Sequence, residues 1–146
     1  MSETVTKLIS VYPHSKAVFN HADELRRYIG TLTDAPTEVY ESSSIDFIDC
    51  GTEIKEIICP CCRKRTDSDW WNEKVDEYYQ NGFSDLMTEM YCCGARVSLN
   101  DLDYRPQCGF ASAVFKIMGE LSLSPEELST VSYIVNEDIR IIAAKE

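Results

Sequence analysis

Positive charge is scarce in this sequence: 14 Lys and Arg stand against 25 Asp and Glu, for a net charge of −11. A surface so biased repels phosphate backbones and anionic membranes, which excludes a nucleic-acid grip unless a local patch reverses the field. Nor is there an apolar stretch near the ~18 residues that a membrane span requires, and Met1 to Lys16 show no basic start leading into an apolar run. The chain is therefore read as cytoplasmic. Histidine is limited to His14 and His21, near the start of the first expected helix, where surface or capping roles suffice. No H-E-x-x-H, glycine-rich phosphate loop or Cys–His pairing by spacing occurs, which removes the usual sequence signs of a zinc protease, a nucleotide site or a thiol protease. Internal repeats are absent as well, and the only biased patch, Ser42-Ser43-Ser44, is too short for a linker.

What is present is a globular balance, 44% apolar and 27% charged over 146 residues, enough for one core and one domain spanning 1–146. Seven cysteines are the compositional exception. In a reducing cytosol, clustered cysteines point to metal or thiol chemistry rather than structural disulfides, and an odd number leaves one unpaired.

The periodicities give two similar halves. Val5, Ile9 and Val11 line one face of a strand over Val5–Tyr12. Asn20 can cap a helix in which Leu25, Tyr28, Ile29 and Leu32 form a stripe, ended by Pro36. Val39 to Asp49 reads as extended, with Glu53 to Ile58 as its hairpin partner through a turn in which Gly51 supplies a positive φ. In the last third, Phe110–Met118 is apolar on both faces, as a central strand is. Ser124-Pro125-Glu126-Glu127 combines a capping box with Pro at the first helical position, starting a helix to Val135. The β-branched run from Ile139 predicts a last strand. Two strand–helix–strand units suggest an α+β, two-layer ferredoxin-like sandwich with an inserted zinc-ribbon-like segment over residues 59–95.

That segment carries the chemistry. Cys59-Pro60-Cys61-Cys62 holds a C-x-x-C at 59 and 62, a spacing that lets two thiolates of one turn face a single tetrahedral ion. Cys92-Cys93-Gly94 supplies a second pair but departs from C-x-x-C, because position 90 is Met90. The expected ligands are Cys59, Cys62, Cys92 and Cys93 around Zn2+, with Cys61 as the substitute. Two alternatives stay open: buried free cysteines acting as small hydrophobes, and redox chemistry.

Between the pairs, Thr66 or Asp67 can cap a helix reaching Gly82, with Trp71, Val75, Tyr78 and Tyr79 on one face. Ser98 to Tyr104 brings Asn100, Asp101 and Asp103 into one short loop, a composition that suits turns and caps as well as acid–base work. Arg63-Lys64-Arg65 follows the first pair; cations there offset the formal −2 of a zinc held by four thiolates, a simpler role than phosphate binding.

The run Cys59-Pro60-x-Cys62, Trp71, Gly82-Phe83-Ser84-Asp85-Leu86, Cys92-Cys93-Gly94, Ser98-Leu99-Asn100-Asp101-Leu102-x-Tyr104, Pro106 and Gly109-Phe110-Ala111 resembles a group of bacterial zinc-ribbon-containing proteins. The resemblance implies metal ligands and a bacterial cytoplasmic origin, and brings no established activity. Two function classes follow. The first is a non-enzymatic module whose zinc fixes a surface for a basic protein partner, a toxin held inactive among them, with Trp70, Trp71, Tyr78, Asn100, Asp101 and Tyr104 as contacts. The second is a zinc- or thiol-dependent enzyme, with three cysteines on an open zinc or with Cys50 or Cys108 as nucleophile.

Overall fold

The computed structural model describes residues 3–146. In chain order the elements are β1 (Thr4–Ser10), α1 (Ala17–Asn20), α2 (Ala22–Ile29), β2 (Thr37–Ile48), β3 (Glu56–Ile58), α3 (Ser68–Tyr79), β4 (Met87–Glu89) and β5 (Arg96–Ser98). A 3₁₀ turn (Leu99–Asp101) then leads to β6 (Asp103–Arg105), β7 (Gly109–Ile117), α4 (Pro125–Val135) and β8 (Ile139–Lys145). Every strand pairing is antiparallel, so the chain is an α+β protein.

Four strands form the main sheet, in the order β2-β7-β1-β8. The two central strands, β1 and β7, are the most buried, because helices cover one face and chain crosses the other. On the helical side Leu8, Phe115 and Ile117 pack with Val18, Leu25 and Ile29 of α1 and α2 and with Val131 and Val135 of α4. The capping box at Ser124 forms as its sequence requires, with Ser124 and Glu127 exchanging side-chain and backbone bonds. On the opposite side Val5, Ile9, Val114, Ile142 and Ala144 lie beneath Ile48 and Cys50.

Two local expectations are corrected. Asn20 closes α1 instead of capping a helix, because the helical path starts at Ala17 and breaks at His21. The segment 53–58 does not fold back on β2: β3 pairs with β6, Ile57 lying opposite Tyr104. Gly51 does take a positive φ, of 71°, but for another purpose. The chain there presses against β8, where Cys50 C=O accepts from Lys145 N–H, and a Cβ on Gly51 would overlap the Lys145 carbonyl.

The elements between β2 and β7 form a second lobe: the β3–β6 ladder, the β4–β5 ladder and α3. Its core, Ile57, Trp71, Phe83, Leu86, Met90, Leu99 and Tyr104, is continuous with Ile45 and Phe110 of the main sheet. Rings carry that junction, with Phe47 5.1 Å from Phe110 and 5.5 Å from Trp71, and Phe83 5.0 Å from Phe110.

Candidate metal centre

Two tight turns at the edge of this lobe bring four sulfurs together. The first follows β3. Cys59 N–H donates to Lys64 C=O at 2.9 Å, Arg63 N–H donates to Cys59 C=O at 3.1 Å, and Arg63 takes a φ of 63°. The second joins β4 to β5. There Met90 N–H donates to Ala95 C=O at 2.8 Å, Gly94 N–H donates to Met90 C=O at 2.7 Å, and Gly94 has a φ of 73°. Each turn needs one left-handed residue; the second meets that need with glycine and the first spends strain on arginine.

The sulfurs of Cys59, Cys62, Cys92 and Cys93 lie within 4.8 Å of one another. Cys59 to Cys93 measures 3.8 Å and Cys62 to Cys92 3.3 Å, too long for disulfides. An ion bound tetrahedrally by thiolates at about 2.3 Å requires sulfur–sulfur edges of about 3.8 Å, so this group can hold a metal with little movement. The four residues expected from spacing are thus the four that converge.

Within the cluster the thiols differ in how readily they lose a proton. Burial raises the cost of ionising Cys59, but the backbone N–H groups of Cys62 and Cys61 and the thiols of Cys62 and Cys92 outweigh it and bring Cys59 down to about 7. Cys92 is pushed up to about 12, by burial first and then by its hydrogen bonds with Cys62 and Cys59 and the charge of Cys59. The Cys59 thiolate forms readily, and a cation is needed to draw the protons from Cys92 and Cys93, whose thiols are both pushed up. Cys59 is fully buried, Cys62 and Cys92 are half-buried, and Cys93 is exposed. Cys61 points to solvent outside the cluster.

Two of the three adjoining cations, Arg63 and Arg65, are already engaged. Arg63 reaches Asp103 of β6 at 2.8 Å, and Arg105 reaches the same carboxylate at 3.1 Å, which holds Asp103 below its ordinary range. Arg65 donates to Lys55 C=O.

The expected partner contacts divide. Trp71, Asn100 and Tyr104 are corrected: they are 7%, 1% and 1% exposed and have no surface to offer. Trp71 Nε1 donates to Tyr104 Oη, which donates to Leu99 C=O, a buried chain that satisfies both polar tips. Asn100 Nδ2 donates to Val11 C=O, while its Oδ1 accepts from Phe110 N–H and Arg140. The Ser98–Tyr104 segment is therefore a clamp between lobe and sheet, with Ser98 capping the 3₁₀ turn. Asp101 is exposed, and Trp70 and Tyr78 are half-buried. Tyr91, its ring 5.2 Å from that of Trp70 and tilted 54° to it, and Tyr79 are exposed aromatics of the same lobe. Periodicity placed Tyr79 on the α3 face; nothing in the sequence around Tyr91 marked it.

Cys50 and Cys108 are buried, and burial, reinforced by the nearby Cys50, pushes Cys108 up to about 12. A thiol held protonated at neutral pH is a poor nucleophile. Among the described residues no helix is long and apolar enough to cross a membrane. Comparison with protein-family models, curated proteins and solved structures finds no match.

Proposed function

We propose that this chain is a zinc-stabilised, acidic, non-enzymatic protein-binding module of the bacterial cytoplasm, in which a zinc-ribbon-like lobe is inserted in a ferredoxin-like sandwich. The convergence of four cysteine sulfurs, two from each of two turns, carries the reading. A four-thiolate set suits Zn2+, and a filled tetrahedron leaves no position for substrate water, which favours a structural over a catalytic ion. The βαββαβ order of the main strands, with β2-β7-β1-β8 as neighbours, supports the sandwich.

The contact surface in this reading is Trp70, Tyr78, Tyr79 and Tyr91, set in a chain of net charge −11, a combination that suits a basic protein such as a toxin to be neutralised. Native mass spectrometry of protein purified under reducing conditions tests the metal: one zinc per chain, with only sulfur neighbours in X-ray absorption, is expected. Metal-free protein, or a nitrogen or oxygen ligand, would overturn the four-thiolate assignment. Tyr91→Ala with Trp70→Ala should keep the zinc yet weaken capture of the partner at least tenfold.

A further inference from the structure

Residues 58–65 and 89–96 are, position by position, the same turn. Cys59 matches Met90: both are fully buried, both N–H groups donate to the carbonyl five residues on, and both carbonyls accept from the N–H four residues on. Arg63 matches Gly94 in its left-handed backbone. The bridge of Ile58 to Arg65 matches the pairing of Glu89 with Arg96. In this correspondence Cys62 matches Cys93, and Cys61 matches Cys92.

The two turns nevertheless present sulfur from different positions. The first uses its first and fourth residues, Cys59 and Cys62; the second uses its third and fourth, Cys92 and Cys93. Met90 fills the place of a first ligand and packs into the lobe core instead. Cys92 therefore shows, within this chain, that the third position of such a turn can deliver a sulfur to the centre. The third position of the first turn is also a cysteine, Cys61, exposed and outside the cluster.

We infer that Cys61 is a reserve ligand, able to replace Cys59 so that Cys61, Cys62, Cys92 and Cys93 hold the metal with both turns using the same two positions. The inference rests on the four-thiolate reading and adds a route for metal exchange. As the bond from metal to Cys61 sulfur forms, the Cys61 thiol gives its proton to water and the bond to Cys59 breaks. The Cys59 thiolate takes up a proton, so charge and ligand number are restored with no redox change. An exposed sulfur next in the chain to Cys62, at a centre whose Cys93 is exposed as well, gives incoming thiols an associative path that a sealed centre lacks.

Wild type, Cys61→Ser, Cys59→Ser and the Cys59→Ser/Cys61→Ser double variant test this, loaded with Zn2+ or Co2+ and examined by X-ray absorption and thiolate-to-cobalt absorption. Four sulfurs are expected in wild type, in Cys61→Ser and in Cys59→Ser, the last with affinity at most about tenfold lower. Three sulfurs and at least hundredfold weaker binding are expected only in the double variant. Three sulfurs already in Cys59→Ser overturns the reserve role while leaving the four-thiolate centre intact; absence of metal from wild type overturns both. Should Cys59→Ser not fold, exchange of bound Zn2+ for Cd2+ decides, since Cys61→Ser should slow it about tenfold and an unchanged rate overturns the inference.

Discussion

Asn100 shows how much one amide can carry in this fold. Its side chain serves Val11 C=O, Phe110 N–H and Arg140, and its own carbonyl takes a further bond from Arg140, all at a site 1% exposed. Alanine there would leave the buried Phe110 N–H without its acceptor and Val11 C=O without its donor, while Arg140 keeps its bond to the main-chain carbonyl of residue 100. Each buried group left unpaired costs about 1–3 kcal/mol, so Asn100→Ala should lose about 3 kcal/mol in urea unfolding with the slope unchanged. A loss under 0.5 kcal/mol would show that water can enter the clamp. Asp103 makes a different kind of contribution. Its hydrogen bonds with Arg105 and Arg63 depress its folded pKa below the ordinary 3.8, so its stabilisation is complete above that value and disappears as pH falls through the folded value. With the carboxylate partly open to solvent, about 1 kcal/mol is at stake. Stability curves of wild type and Asp103→Asn should therefore run about that far apart at neutral pH and converge below pH ~4; a constant gap would assign the effect to packing instead.

Among the elements, the cysteine-bearing turns differ from the lobe they cap. The lobe holds Trp71, Phe83, Leu86, Leu99 and Tyr104 in a core joined to Phe110, so its cohesion does not rest on the cysteine cluster alone. Each turn anchors one buried side chain in that core, Cys59 or Met90, and otherwise has its paired hydrogen bonds and one left-handed residue, while thiolates gathered there repel without a cation. Chelation should accordingly release hydrogen-exchange protection at Cys59, Arg63, Met90 and Gly94 while the amides of β1 and β7 keep theirs. Loss of protection at Leu99 and Phe110 to the same degree would mean that the ion organises the whole lobe. The same contrast explains what could be read from the sequence. The C-x-x-C at Cys59 and Cys62, the capping box at Ser124 and the two-faced apolar run from Phe110 are local patterns, and each forms as expected. The pairing of β3 with β6 joins segments some fifty residues apart, three residues long each, with no alternation to signal it. Asn100 and Tyr104 read as surface loop because a buried polar clamp and an exposed turn share one composition, and only tertiary partners tell them apart.

Across the whole molecule, charge decides which partners can approach. The deficit of 14 cations against 25 anions is opposed by one basic run, Arg63-Lys64-Arg65, beside the first cysteine turn. Two of those three side chains are spoken for, Arg63 by Asp103 and Arg65 by Lys55 C=O. Turning Arg63 toward a phosphate would leave Arg105 as the remaining guanidinium on Asp103, and the acceptor strand would still enter the field of a chain with net charge −11. Non-specific affinities of ~10⁻⁴–10⁻⁶ M at physiological salt come from several phosphates neutralised together, which Lys64 alone cannot supply. Random duplex DNA titrated against the zinc-loaded protein should give no anisotropy change up to about 100 μM protein. Salt-sensitive binding in the micromolar range, abolished by neutralising residues 63–65, would show instead that the turn forms a local basic surface strong enough to reverse the field of the whole chain.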